Sequence, residues 1–378
     1  MKIERVELRE VTMQLREPFE ISSGVTYDRR VLLVTLHADG ITGWAECVAG
    51  ETPGYSYETT ETAWSILTEY LLPGLPGAHI ETAGDALEAA DADAIRGHQM
   101  AKASVEMAAW DLEAKAKEVP LATLIGGARD SVPVGVSIGL QPNDEDLHRK
   151  VGEFVAEGYA RIKIKIKPGR DVEMLLGLRE KYPDVMLMVD ANSAFSLDDL
   201  PRLKALDEVG LMMIEQPLAH DDYLDHARLQ EQIETPICLD ESIRSVRDAA
   251  LALDLGSCRI INIKPGRVGG IASSKAIHDL CASQGVPVWC GGMLESGIGR
   301  AHNVALATLS GFSLPGDISA SRRYWSEDIV TPEFVLDDGT MRVPQGHGIG
   351  VSVREQWIAD ATVREAVRKM RDTGISSI

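Results

Sequence analysis

A chain of 378 residues, 44% hydrophobic and 25% charged, is long enough to bury one large core or two ordinary ones. Its net charge of −20 leaves no basic surplus to neutralise phosphates, which argues against nucleic acid as a partner, and an anionic substrate would need local cations to offset this field. There is no run of eighteen apolar residues, and the start MKIERVELRE is charged where a leader would be apolar, so no membrane partner and a cytoplasmic location are expected.

Taken in chain order, IERVELREVTMQL and RRVLLVTLHADGITGWAECV alternate as antiparallel strands do, with a tight turn at Asp39-Gly40. The stretch from Glu58 to about Lys117 reads as helices, so residues 1–125 are expected to form an α+β domain. From about residue 132 the rhythm changes. Eight β-like runs follow: VPVGVSIG (132–139), RIKIKI (161–166), VMLMVDA (185–191), LMMIEQP (211–217), PICLDES (236–242), RIINIKP (259–265), VPVWCGG (286–292) and FSLPGD (312–317). Between them lie segments such as EDLHRKVGEFVAEG and SVRDAALALDLG, whose apolar spacing suits amphipathic helices closed by Gly. A repeat near 25 residues is a βα unit, and eight in succession predict an α/β fold with a (β/α)8-type barrel over 126–325, although a doubly wound open sheet shares much of this pattern. The segment 326–378 is again strand-like and is expected to fold back onto the first domain. Cys47, Cys238, Cys258, Cys281 and Cys290 are odd in number and widely spaced, which suggests neither a disulfide framework nor a zinc motif.

Four runs end in an ionisable residue where strand gives way to loop: Asp190 in MVDANS, Glu215 in MIEQP, Asp240 in CLDES and Lys264 in NIKPG. The steps from 190 to 215 and from 215 to 240 are each 25 residues, so one carboxylate falls at the same point of three consecutive strands. Adjacent strands lie about 4.8 Å apart, and the C-terminal rim of a barrel is where active sites are built. Carboxylates so crowded must protonate or share a cation, and an oxygen-only cluster selects a hard ion, Mg²⁺ or in its place Mn²⁺.

The run RIKIKIKPG sets Arg161, Lys163, Lys165 and Lys167 against Ile162, Ile164 and Ile166. By itself this is a solvated strand with a basic face. In a barrel the isoleucines would pack outward on helices and Arg161, Lys163 and Lys165 would point inward, where an ammonium must be paired or lose its proton. Lys165 would reach the rim, Lys163 would sit one layer deeper and depress its neighbour's pKa, and Lys167 would lie beyond the strand. Strands two and six of eight stand diametrically opposite. Lys165 and Lys264 would then face each other across a metal-bound substrate, one able to take a proton alpha to a carboxylate while the metal stabilises the enediolate.

With MAAWDLEAKAKEVPLATLIGG, KIK, VDANS, IEQP, CLDES, NIKPGRVGG and VWCGGMLESGIGRAHN, the chain resembles the enolase superfamily along essentially its whole length, and within it the muconate-lactonizing subgroup. GVSIGL, RIKIKIKPG, KPGRVGG, WCGGMLESGIGRAHNVALATL and LPGDISAS are similar to its o-succinylbenzoate synthase branch, which includes N-acylamino acid and N-succinylamino acid racemases. The resemblance implies Asp190, Glu215 and Asp240 as Mg²⁺ ligands and Lys165 and Lys264 as the catalytic pair, with Lys163 opening the KxK motif. Asn192 and Glu241 match groups that orient ligands, though a capping role would suit them as well. Ser137, Gly292 and Met293 match pocket positions, and Arg267 resembles an Arg that lies near the strand-six Lys in racemising members. The first domain is implied to cap the barrel, with loops around Phe19 to Tyr27 and around Tyr55 choosing the substrate. A succinylated small-molecule carboxylate and a homo-oligomer are the expected partners. The reaction implied is dehydration to o-succinylbenzoate, a step of menaquinone biosynthesis, racemisation of N-succinylamino or N-acylamino acids, or both. The alternatives are dipeptide epimerisation, lactone cycloisomerisation, sugar-acid dehydration and a non-catalytic, metal-stabilised scaffold. A dipeptide ammonium would call for paired late carboxylates, and only Asp317 follows run eight.

Overall fold

The computed structural model describes residues 1–21 and 24–370. Ser22 and Ser23, inside the loop expected around Phe19 to Tyr27, and residues 371–378 of the expected C-terminal segment lie outside the described residues. β1 (Ile3–Ile21), β2 (Gly24–Ala38) and β3 (Ile41–Cys47) form an antiparallel meander. Asp39 and Gly40 turn β2 into β3 with φ of 49° and 76°, the doubly positive conformation that an Asp-Gly pair tolerates and that matches strand twist. Helix α1 (Gln99–Ala116) lies on this sheet. Its buried alanines and Gly43 of β3 let the backbones approach so closely that a Cβ at Gly43 would stand 2.2 Å from the Ala108 carbonyl oxygen.

Beyond it, β4 (Gly135–Ile138), β5 (Arg161–Lys165), β6 (Leu187–Asp190), β7 (Ile214–Glu215), β8 (Ile237–Leu239), β9 (Ile260–Ile263) and β10 (Val288–Cys290) form one parallel sheet in chain order. The eighth run differs from expectation, since Phe312–Asp317 makes isolated bridges in place of a continuous strand. Phe312 bridges to Val288 and Gly316 to Val134, and the Asp317 N–H donates to the Cys290 carbonyl at 2.9 Å. Pro315 has no N–H to continue a ladder, yet these bonds still join the two edges of the sheet.

Alternation along the strands sorts the barrel interior into layers. Met188, Met213, Cys238, Ile260 and Trp289 form a separate buried apolar cluster, and two residues further along β6, β7 and β8 come Asp190, Glu215 and Asp240. Ile162 and Ile164 of β5 join the larger core. The last described strand, β11 (Thr362–Lys369), returns to pair antiparallel with β1 and completes a four-stranded sheet with β2 and β3. All five cysteines are buried and unpaired, and among the described residues no helix is long and apolar enough to cross a membrane.

Buried polar contacts join this sheet to the barrel's helix α2 (Gly297–Leu306). Ser296, its N-cap, donates backbone N–H and hydroxyl to Glu46 Oε2 at 2.9 and 2.5 Å, and His302 Nε2 meets the Trp44 carbonyl at 3.0 Å. Burial pushes the Glu46 carboxyl up to about 7 despite the Ser296 bonds, with nearby Glu295 adding to the rise. An acid with a raised folded pKa stabilises the fold below its unfolded value near 4.5 and loses that contribution as pH rises through about 7. Wild type should therefore lose about 3 kcal/mol relative to Glu46→Gln between pH 4.5 and 8. Urea unfolding of both proteins across this range checks it, and parallel curves would refute it.

Candidate active site

Strand register builds the site. Lys165 pairs with Asp190 across β5 and β6, and Asp190 with Glu215 across β6 and β7, so three ionisable side chains meet at one level of the rim. Asp240 follows the end of β8, and Lys264 follows β9. All five are buried in a region where unpaired charge is costly, and each has a partner. Lys165 Nζ donates to Asp190 Oδ2 at 2.5 Å and to Asn192 Oδ1 at 2.8 Å. Lys264 Nζ donates to Asp240 Oδ2 at 2.7 Å and to the Tyr55 hydroxyl at 3.0 Å. With eight runs around the ring and three strands between β5 and β9, these two lysines stand on opposite sides.

Lys163, one layer deeper, donates to Glu215 Oε2 at 2.9 Å and pairs with Asp317, while Arg161 holds the other Asp317 oxygen at 2.6 Å. Burial would lower the Lys163 ammonium, but Asp317, Glu215 and Asp190 outweigh it and hold the group above the ordinary lysine range. The sequence assigned Lys163 to depressing the pKa of Lys165; in the fold its charge is matched by carboxylates. For Lys264 too, burial is outweighed, here by Tyr55, Glu215 and Glu241, and the ammonium is held high. Burial opposes ionisation of Asp190, yet Lys165 and Lys163 bring its carboxyl well below the usual range. Glu215 moves the other way, raised by burial and by Asp190.

The donor set fits a hard divalent cation in kind: carboxylates at the ends of three adjacent strands, oxygen donors throughout, and Asp190 within hydrogen-bonding contact of Glu215. Glu241 Oε2 is also buried without a partner, and burial together with Asp190 pushes that carboxyl up to about 7. Among the described residues no three such groups converge on one point as they stand. Ammonium groups hold the inner oxygens, and convergence requires them to withdraw.

Asn192 links the two halves of this network. Its Nδ2 donates to Glu241 Oε1 at 2.9 Å while its backbone N–H caps Asp190 Oδ1 at 2.9 Å. Arg267 is buried rather than solvated, and it does not line the cavity. It reaches Asp240 from behind, with Nε on the Ile243 carbonyl at 2.6 Å. Tyr55, sent down by the first domain, donates to Asp240 Oδ1 at 2.9 Å.

Above the lysines lies a cavity of about 660 Å³, walled by Phe19, residues 24–29 and 50–56 on one side and by Ser137, Gly292 and Met293 on the other. Ser137 Oγ is buried there without a hydrogen-bond partner. A Cβ at Gly292 would stand 2.4 Å from the Asp317 carbonyl oxygen, so only glycine fits. Sequence reasoning missed Asn262, whose Nδ2 donates to Glu215 Oε1 at 2.6 Å, although period two already placed it on the face of Lys264. It also weighed Asp317 only as a group for substrate and overlooked its pairing with the cations of β5.

Residues 3–126 match the N-terminal domain model of mandelate racemase and muconate lactonizing enzyme, and residues 146–357 match the enolase C-terminal domain-like model. The chain is 54% identical over 359 residues to o-succinylbenzoate synthase of Geobacillus kaustophilus, covering 95% of each. It is 48% identical to N-succinylamino acid racemase of Thermus thermophilus, covering 96% of this chain and 98% of that one. Among solved structures, a member of the enolase superfamily from Listeria innocua superposes with a TM-score of 0.93 at 44% identity, covering 98% and 99% of the two chains.

Asp317 is the counter-charge for two fully buried cations. Asp317→Asn should therefore cost about 3–5 kcal/mol of folding stability. Urea denaturation at neutral pH measures this, and a loss below about 1 kcal/mol would show that Arg161 and Lys163 find other partners.

Proposed function

Since the chain belongs to the enolase superfamily, with the mandelate racemase and muconate lactonizing enzyme domain at its N-terminus, we propose that it is an o-succinylbenzoate synthase that also racemises N-succinylamino acids. The observation that carries this reading is the pair of buried lysines, Lys165 and Lys264, on opposite strands and lining one cavity. Relatives bearing both names match over almost the full chain, and both reactions begin by removing a proton alpha to a carboxylate.

Asp190, Glu215 and Asp240 would hold Mg²⁺, for which Mn²⁺ can substitute. When bound, the ion supplies positive charge beside the substrate carboxylate and stabilises the enediolate. Lys165 and Lys264 are the acid and base. For racemisation, one lysine, neutral, takes the α-proton from its side and the other, as ammonium, returns a proton from the opposite side. For dehydration one lysine is enough as acid and base: having taken the α-proton, it can protonate the departing hydroxyl, while the second remains a cation beside the developing charge. Asn192 fixes the direction of Lys165, and Tyr55 that of Lys264. The first domain supplies one wall of the cavity at its mouth. Pairing with Arg161 and Lys163 leaves Asp317 no free charge for a substrate ammonium, which weighs against dipeptide epimerisation.

In D₂O with Mg²⁺, wild type should wash out the α-proton of both enantiomers of an N-succinylamino acid and convert each into the other. Lys165→Gln should slow loss from one enantiomer by about 10²-fold or more and Lys264→Gln from the other, with racemisation lost in both variants. Proton NMR follows each enantiomer separately. Equal loss from both enantiomers in either variant would contradict a two-sided mechanism.

A further inference from the structure

The two walls of the cavity carry four cations, and three of them are already matched: Lys163, Lys165 and Lys264 each contact a carboxylate. Arg29 of β2 is the fourth. It is 5% exposed, forms no ion pair among the described residues, and leaves Nε without a hydrogen-bond partner. Among the described residues its one hydrogen bond runs from Nη2 to the Val48 carbonyl at 3.2 Å. Glu46 feels its charge, but its Oε2 accepts from Ser296 and its Oε1 has no hydrogen-bond partner among the described residues. The other acids of the first-domain wall, Asp28 and Glu51, are exposed at the mouth. A guanidinium withdrawn from water without an anion is costly, and a fork of N–H donors is well matched to a carboxylate.

Its position completes the argument. Arg29 Nη1 lies 3.8 Å from where a Cβ at Gly50 would be, at the base of the same loop that sends Tyr55 down to Asp240. One end of the cavity thus holds the proton-transfer lysines, and the first domain supplies a buried, unmatched cation to its wall. We propose that Arg29 receives the terminal carboxylate of the substrate's succinyl arm, and so selects succinyl over neutral acyl groups. This rests on the succinylated-substrate reading given under Proposed function.

The test compares binding of N-succinylglycine and its terminal amide, N-succinamoylglycine, to full-length, Mg²⁺-loaded enzyme by calorimetry. Glycine derivatives have no stereocentre, so no product enantiomer complicates the reading. Wild type should prefer the carboxylate by about 10- to 100-fold, Arg29→Met should collapse that preference to near unity, and Arg29→Lys should restore part of it. If both ligands weaken together in Arg29→Met and the preference survives, Arg29 is structural and the assignment fails. Should Arg29→Met not fold, Arg29→Lys decides: a preference cut below that of wild type supports the assignment, and an unchanged preference, or equal binding of acid and amide to wild type, refutes it. Binding of neither ligand would overturn the succinylated-substrate reading itself, a result distinct from equal binding of both.

Discussion

Everything in this molecule depends on matching, one with another, the charges buried inside the barrel. Arg161, Lys163, Lys165 and Lys264 are set among Asp190, Glu215, Asp240 and Asp317, all buried. Removing one member leaves its partner as an uncompensated charge in a medium of low polarity, at a cost of several kcal/mol. The network is therefore rigid in composition. At the rim, Lys165 holds Asp190 and Lys264 holds Asp240, each through its Nζ. In the function proposed above, these lysines would have to leave the carboxylates that now hold them.

The fold supports this arrangement from two sides. From below, Trp289 with Met188, Met213, Cys238 and Ile260 forms a dry layer on which the charged layer rests, and the rings and cations touch: Lys163 Nζ lies 5.0 Å and Arg161 Cζ 5.1 Å from the Trp289 ring centroid. From above, the first domain closes the mouth and delivers Tyr55 to the same Asp240 that Lys264 and Arg267 hold. The cap thus contributes to the electrostatics of the site as well as covering it. Loops of that domain and the strand ends of the barrel thus line one cavity from opposite sides, and a fold of this kind supports many reactions.

The strand ends were readable because period and chemistry coincide. A carboxylate every 25 residues, and lysines on alternate positions of a strand rich in isoleucine, are patterns that a barrel turns directly into a shared rim. The turn at Asp39-Gly40 was readable for the same local reason. What escaped was long-range. Nothing near Arg267 in sequence says that it folds under Asp240; the resemblance placed it only near Lys264. Arg29 sits beside Arg30 in a hairpin, where two adjacent cations look like a solvated face; in the fold Arg30 pairs with Glu10 and Glu61 and Arg29 is buried. Likewise FSLPGD reads as a strand by composition, while Pro315 reduces it to bridges that close the ring.

In the proposed reaction Lys165 and Lys264 address opposite faces of one carbon. A crystal structure with Mg²⁺ and an N-succinylamino acid tests it most directly. The ion should lie on Asp190, Glu215 and Asp240, with the two lysine nitrogens released from Asp190 and Asp240 and about 3–3.5 Å from opposite faces of the α-carbon. Both nitrogens on one side, or either lysine still bound to its carboxylate while the substrate is in place, would contradict it.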